Sequence, residues 1–164
     1  MGIFKYTFSS ESPIATTNFA DELGVFLGAG DVVLLQGKVG AGKSHFARSL
    51  IQSRQSRNGI TEEVPSPTYT LVQTYWDGTV EIWHADLYRL SEPLEIFELG
   101  LDEAFHSAVC LVEWSERMGD LSPENALTIR FETSAKPMSR ELEVTGNSLT
   151  WSKIQPWLQR VSNV

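Results

Sequence analysis

Eight residues, Gly37-Lys38-Val39-Gly40-Ala41-Gly42-Lys43-Ser44, carry the spacing G-x-x-x-x-G-K-[ST] of a phosphate-binding loop. Gly37, Gly40 and Gly42 lack a Cβ, so the backbone there turns tightly and approaches a ligand closely. The loop amides then converge on an anion at a helix N-terminus, where the helix dipole also favours negative charge. In this pattern Lys43 reaches the β- and γ-phosphates, and the Ser44 hydroxyl sits on Mg²⁺. The flanks supply the context that the pattern needs. Val32 to Leu35 is an apolar run of buried-strand length, and Phe46, Leu50 and Ile51 recur at helical spacing with no proline between them. These residues predict a chain that binds a nucleoside triphosphate.

Such a loop needs an acid to hold the metal and a group to orient an attacking water. Two later strands end in acids, Asp86 and Glu113, and ligands of open α/β sheets bind beyond the carboxyl ends of the strands. Glu113 follows the apolar run Val109 to Val112 and is expected to partner Ser44 on the metal. Asp86 is expected to position water or to hold the metal's outer shell; either acid could instead cap a helix. Thr68, at the end of Pro65-Ser66-Pro67-Thr68, either senses a γ-phosphate or simply opens a strand. Arg89 and Arg140 are candidates for stabilising phosphate charge or stacking on a base, although such arginines are more often surface ion-pair partners. His45 and His84 gain nothing from spacing, because no second His or Cys completes a metal-ligand pattern.

The elements that must position these residues are legible along the chain. Ile3 to Phe8 alternates as an edge strand, and Ser12-Pro13 reads as an N-cap with proline in the first turn. Ala15, Phe19, Leu23, Phe26 and Leu27 form a helical stripe that stops at Gly28-Ala29-Gly30. After the loop helix, Ser53 to Glu63 reads as a solvated, mobile connection. The prolines of Glu63 to Thr68 exclude helix. Thr70 to Trp76 and Thr79 to Ala85 flank Asp77-Gly78, a strong hairpin signal. A helix is expected over Glu92 to Glu98 with Ser91 as N-cap, broken by Gly100, with another turn at Asp102 to His106. Leu127 to Phe131 and Glu141 to Val144 read as a late hairpin, and Trp151 to Val161 as a closing helix. Together these predict an α/β fold of three layers, with a mostly parallel central sheet, antiparallel additions and helices on both faces. One domain over residues 1–164 is expected.

Composition narrows the partners. A net charge of −8, with no Lys/Arg cluster, argues against a chain that grips nucleic acid by itself. The single cysteine, Cys110, lies in an apolar run and excludes an internal disulfide framework. No apolar run approaches membrane-spanning length, and no basic region followed by an apolar core opens the chain, so no membrane partner and a cytoplasmic location are expected.

Four blocks carry a family resemblance: Gly37 to Ser44, Ser66-Pro67-Thr68-Tyr69-Thr70-Leu71-Val72, His84-Ala85-Asp86-Leu87-Tyr88-Arg89-Leu90, and Val112-Glu113-Trp114. In order and spacing they closely resemble the TsaE family, small bacterial ATPases needed to make threonylcarbamoyladenosine next to the anticodon of tRNA. The resemblance implies ATP and Mg²⁺ as cofactors. It makes Lys43 the phosphate lysine, Ser44 and Glu113 the Mg²⁺ partners, and Thr68 and Asp86 residues needed for hydrolysis. It places Gly37, Lys38, Val39, Gly40, Ala41, Gly42, Lys43, Ser44, His45 and Trp114 at the nucleotide, with Thr16 and Arg140 as further contacts. Ser44 stands where threonine is more usual, and Ser139 where glycine is common before Arg140. The resemblance also implies docking on a two-protein transferase complex of TsaB and TsaD type subunits, with tRNA met only indirectly.

Three other readings compete. Ser134-Ala135-Lys136 mimics a guanine-contacting motif of GTPases, although no Asn-Lys-x-Asp or Thr-Lys-x-Asp precedes it. A small-molecule kinase would share the loop and acids but would want an arginine-rich lid, and no arginine cluster suits one. The last is an interaction module that holds nucleotide as a structural ligand.

Overall fold

The central strand, β2 (Val32–Gln36), is buried on both faces because every side chain from Val32 to Leu35 is apolar. In the computed structural model, which describes residues 2–162, it lies in the middle of a seven-stranded sheet. The other strands are β1 (Ile3–Ser10), β3 (Val72–Trp76), β4 (Glu81–Asp86), β5 (Val109–Glu113), β6 (Leu127–Thr133) and β7 (Arg140–Asn147), in spatial order β1-β7-β6-β2-β5-β4-β3. The β6-β2-β5-β4 centre is parallel, while β1, β7 and β3 add antiparallel edges. The expected mixed sheet with antiparallel additions is what the chain forms.

Strand alternation divides the core in two. Val33, Leu35, Val109 and Leu111 face α1 (Pro13–Phe26), α2 (Lys43–Ser56) and α5 (Gln155–Val161), meeting Phe19, Leu23, Phe46, Leu50, Trp157 and Leu158. Val32, Leu34, Cys110 and Val112 face α3 (Glu95–Leu99) and α4 (Leu101–Ser107), meeting Ile96, Leu101, Ala104 and Phe105. Burial pushes the Cys110 thiol up to about 12, as suits an inert core residue.

Several boundaries differ from expectation. The segment read as a mobile connection from Ser53 begins in helix, since α2 continues to Ser56. Gln55 is fully buried there and donates to Glu62 Oε1 at 2.5 Å and to the Trp76 carbonyl at 3.2 Å. Ser91 is not an N-cap. The Glu95 carboxylate reaches back to the amides of Ser91 (2.9 Å) and Glu92 (3.0 Å), single turns tighten through Pro93, and the α-helix starts at Glu95. Asp77-Gly78 belongs to a four-residue loop rather than a two-residue turn. The Asp77 carboxylate accepts from the amides of Thr79 and Val80, both at 2.8 Å. A 3₁₀ helix at Ser115–Leu121 follows β5, and the closing helix is split into a 3₁₀ turn (Ser152–Ile154) and α5, with Pro156 in the first turn of the latter. Ser12 caps α1 as expected, its hydroxyl accepting from the Ala15 amide at 3.1 Å.

Candidate functional site

The glycine loop spans the short gap between the end of β2 and the start of α2. Gly37 has φ +146°, and a Cβ there would stand 2.7 Å from the Phe131 carbonyl oxygen of β6, so only glycine fits that approach. Gly42, at φ +108°, caps α2 in the left-handed region, and the first helical bond runs from the Phe46 amide to its carbonyl. The amides of Lys43, Ser44 and His45 precede that bond and face out of the helix end, ready for an anion.

The acids arrive from the neighbouring strands. Glu113 ends β5, pairs with Leu35 on one side, and pairs with Asp86 at the end of β4 on the other. The period of two puts His84 and Asp86 on the same face as Ile82, and Glu113 on the same face as Leu111, which is the face that α2 covers. Ser44 Oγ donates to both Glu113 carboxylate oxygens, at 3.0 and 3.1 Å. Thr68 Oγ1 donates to Asp86 Oδ2 at 3.2 Å, and the Tyr88 amide donates to Asp86 Oδ1 at 3.1 Å. Lys43 is buried; its Nζ donates to the Gly37 carbonyl at 2.5 Å and lies 3.7 Å from the centre of the Trp114 ring. Burial holds its pKa below the ordinary 10.5, against the upward pull of Glu113, Glu116 and Asp86.

A cleft of about 550 Å³ opens over these groups, lined by Val39, Gly40, Lys43, Ser44, Thr68, Asp86, Glu113 and Trp114 among others. Lys43, Ser44, Thr68, Asp86, Glu113 and Trp114 are therefore brought together in one cleft. Two non-glycine residues among those described have positive φ: Trp114 (59°), which follows Glu113 and lines the cleft, and Leu71 (66°), three residues after Thr68, whose carbonyl accepts from the Asp86 amide at 2.8 Å. Strain of this kind gathers at sites where the surrounding structure over-determines the backbone.

Other candidates stand differently. Arg140 spends its guanidinium on the loop's backbone, with Nε on the Ala41 carbonyl at 3.1 Å and Nη2 on the Gly40 carbonyl at 3.2 Å. Thr16 is buried outside the cleft, with its hydroxyl 2.5 Å from Ser10 Oγ. His45 lines the cleft, and its Nε2 sits 3.0 Å from Thr17 Oγ1. Lys38 is exposed and, with Gly37 and Ala41, borders a smaller cavity of about 280 Å³ against β6. Arg89 lies over the Tyr69 ring at 5.5 Å, outside the cleft lining.

Spacing missed two residues. His84, buried on β4, brings Nε2 to 2.8 Å from Glu113 Oε2. Its place in the alternation Ile82-His84-Asp86 was the available signal. Arg48, one turn beyond Ser44, lines the cleft and holds the Val64 carbonyl at 3.1 Å, tying α2 to the proline segment that carries Thr68.

The donors suit a hard divalent cation. Ser44 and Glu113 offer oxygen at one point, with Asp86 paired beside Glu113 on the neighbouring strand. Such a set matches Mg²⁺, which takes one or two carboxylates and completes its shell with phosphate and water oxygens.

Known proteins resemble this chain in sequence and in fold. The sequence model of the family described as "Threonylcarbamoyl adenosine biosynthesis protein TsaE" matches residues 10–142. A Bacillus subtilis protein named tRNA threonylcarbamoyladenosine biosynthesis protein TsaE is 34% identical over 154 residues, covering 93% of each chain. One of the same name from Treponema pallidum is 36% identical over 136 residues, 82% of this chain and 96% of that one. The crystal structure of Bacillus subtilis YdiB superposes with a TM-score of 0.80 at 29% identity, covering 98% of this chain and 97% of that one. The chain belongs to the TsaE family.

Proposed function

We propose that this chain is a Mg²⁺-dependent ATPase serving the biosynthesis of threonylcarbamoyladenosine in tRNA. The names of its relatives place those proteins in that pathway. The observation that carries the reading is the convergence of Lys43, Ser44, Thr68, Asp86 and Glu113 on one cleft at the end of the glycine loop.

The loop amides and Lys43 bind the triphosphate, with Lys43 leaving the Gly37 carbonyl for the phosphate oxygens. Ser44 and Glu113 would hold Mg²⁺, which supplies neutralisation of the charge on the transferred phosphoryl group. Asp86 orients the attacking water and accepts its proton, while Thr68 holds Asp86 and reads the γ-phosphate. Trp114 closes the wall beside Lys43. Arg140 acts on the nucleotide through the loop backbone that it braces.

In this reading residues 1–164 form one ATPase domain that works in the cytoplasm. The nucleotide cycle controls or resets a transferase complex of TsaB and TsaD type subunits, and tRNA is met only through them. The acidic balance of the chain, −8, supports leaving the tRNA surface to those partners. No helix among the described residues is long and apolar enough to cross a membrane.

The test is phosphate release and nucleotide binding by the wild type and by Asp86→Asn. The expected result is Mg²⁺-dependent turnover of ATP in preference to GTP. Asp86→Asn should still bind ATP but turn over about 10²-fold more slowly. Tighter binding of GTP, phosphate appearing on a metabolite, or full turnover by Asp86→Asn would overturn the reading.

A further inference from the structure

His84 is buried beside the site and has no part in the chemistry outlined above. On the sheet it pairs with Leu111, so the Glu113 carboxylate is its diagonal neighbour one pleat further along β5. Its Nε2 meets Glu113 Oε2 at 2.8 Å, and the two side chains are only 1% and 2% exposed. Among the described residues its other nitrogen, Nδ1, is buried without a hydrogen-bond partner. A proton on Nδ1 would be a buried donor with no acceptor, which is costly, so the proton belongs on Nε2 and is donated to Glu113.

The Glu113 carboxylate is thus gripped from two sides. Ser44 holds both oxygens from the loop helix, and His84 holds Oε2 from the sheet. The two grips are not equivalent. Ser44 is itself a candidate metal ligand, so its lone pairs and its position answer to the cation. His84 answers only to the sheet, because β4 and β5 fix its backbone and burial fixes its ring. We infer that His84 is a positioning residue: its Nε2–H aims the Glu113 carboxylate at the Mg²⁺ position and keeps it there while Ser44 changes partners. Outer-shell groups that orient a metal-binding carboxylate commonly contribute 10- to 100-fold in metal affinity. This inference rests on the ATPase reading, since it gives Glu113 the metal.

Three variants separate aiming from mere packing. His84→Gln keeps an N–H at nearly the reach of Nε2, His84→Asn keeps an amide that falls short of Glu113, and His84→Leu fills the space with no donor. The direct readout is Mn²⁺ binding, followed by electron paramagnetic resonance, to the protein saturated with a non-hydrolysable ATP analogue. Nucleotide affinity in EDTA and the Mg²⁺ dependence of phosphate release accompany it. The expected result is Mn²⁺ affinity lowered at least 10-fold in His84→Asn and His84→Leu, and within about threefold of wild type in His84→Gln. Nucleotide affinity in EDTA stays unchanged in all three, and the Mg²⁺ concentration for half-maximal rate rises in parallel with the Mn²⁺ loss.

If His84→Leu does not fold, the contrast between His84→Asn and His84→Gln decides alone. Wild-type Mn²⁺ affinity in His84→Asn would overturn the inference. So would equal losses in His84→Gln and His84→Asn, or losses matched by weaker binding in EDTA, since these mark packing. The ATPase reading fails separately and visibly: the wild type itself would then show no Mg²⁺-dependent turnover, or Glu113→Gln would leave Mn²⁺ binding intact.

Discussion

The Lys43 ammonium stands 3.7 Å from the centre of the Trp114 ring, on a residue held at φ 59°, while its hydrogen bond goes to Gly37 of its own loop. Lys43 thus lies against the wall of the cleft. Burial is the largest influence on it and depresses its pKa from 10.5. A lysine depressed in the folded state opposes folding below its folded pKa, and this cost is relieved as pH rises through that pKa towards 10.5. Chemical denaturation of the wild type should therefore show stability rising across that alkaline window relative to Lys43→Met. At neutral pH, titration calorimetry should show that Lys43→Met has lost ATP affinity by at least about 100-fold while remaining folded.

Arg140 braces the loop by a fork of bonds to the carbonyls of Ala41 and Gly40, with Nη1 also on Pro137 (2.7 Å) and Ser139 (2.8 Å). A lysine ammonium cannot reproduce that planar geometry. Arg140→Ala and Arg140→Lys should both weaken nucleotide binding about 10-fold, with Lys giving little rescue. Full recovery in the lysine variant would show that charge alone matters there.

Gly37→Ala tests how closely the loop must approach β6. The added Cβ would meet the Phe131 carbonyl oxygen at 2.7 Å and Phe131 Cβ at 3.2 Å, in a backbone conformation that alanine disfavours. The cost should exceed about 1 kcal/mol in urea denaturation, with nucleotide binding lost alongside.

Away from the cleft, the half-buried Arg54 and the buried Asp77 form an ion pair at 2.6 Å that ties α2 to the β3–β4 loop. Arg54 also donates to the carbonyls of Gly24 and Leu27 at the end of α1. Burial by itself pushes the Asp77 carboxyl up, yet the Val80 and Thr79 amides, the Arg54 guanidinium and the Thr79 hydroxyl together hold it below its ordinary 3.8. A carboxyl depressed on folding stabilises the protein above 3.8, and that contribution is lost as pH falls through the lower folded value. Arg54→Ala should cost about 1–3 kcal/mol at neutral pH by removing the cationic partner of a carboxylate that the Thr79 and Val80 amides still hold. Asp77→Asn should flatten the acid limb of the stability curve.

The site was legible where its chemistry follows local rules. Lys43 and Ser44 come from an eight-residue pattern, and Asp86 and Glu113 from the rule that ligands gather at strand ends. His84 was not, because its place in the alternation of β4 gains meaning only once β4 lies beside β5 in one register. The same holds for Arg48 and for Arg54, whose partners lie 16 and 23 residues away in sequence. Polar residues from Ser53 onward suggested a loop, but Gln55 and Arg54 make their bonds inside the fold and keep α2 helical to Ser56. The β6–β7 hairpin was readable because both of its strands alternate apolar and polar residues.

The most direct measurement is the threonylcarbamoyladenosine content of tRNA, by mass spectrometry, in a bacterium whose own TsaE gene is replaced by this one as wild type or as Glu113→Gln. The wild type should restore the modified nucleoside, and Glu113→Gln, folded and expressed at the same level, should not. Full modification in the Glu113→Gln strain would contradict the claim that a metal-dependent nucleotide cycle at this cleft is what the protein contributes.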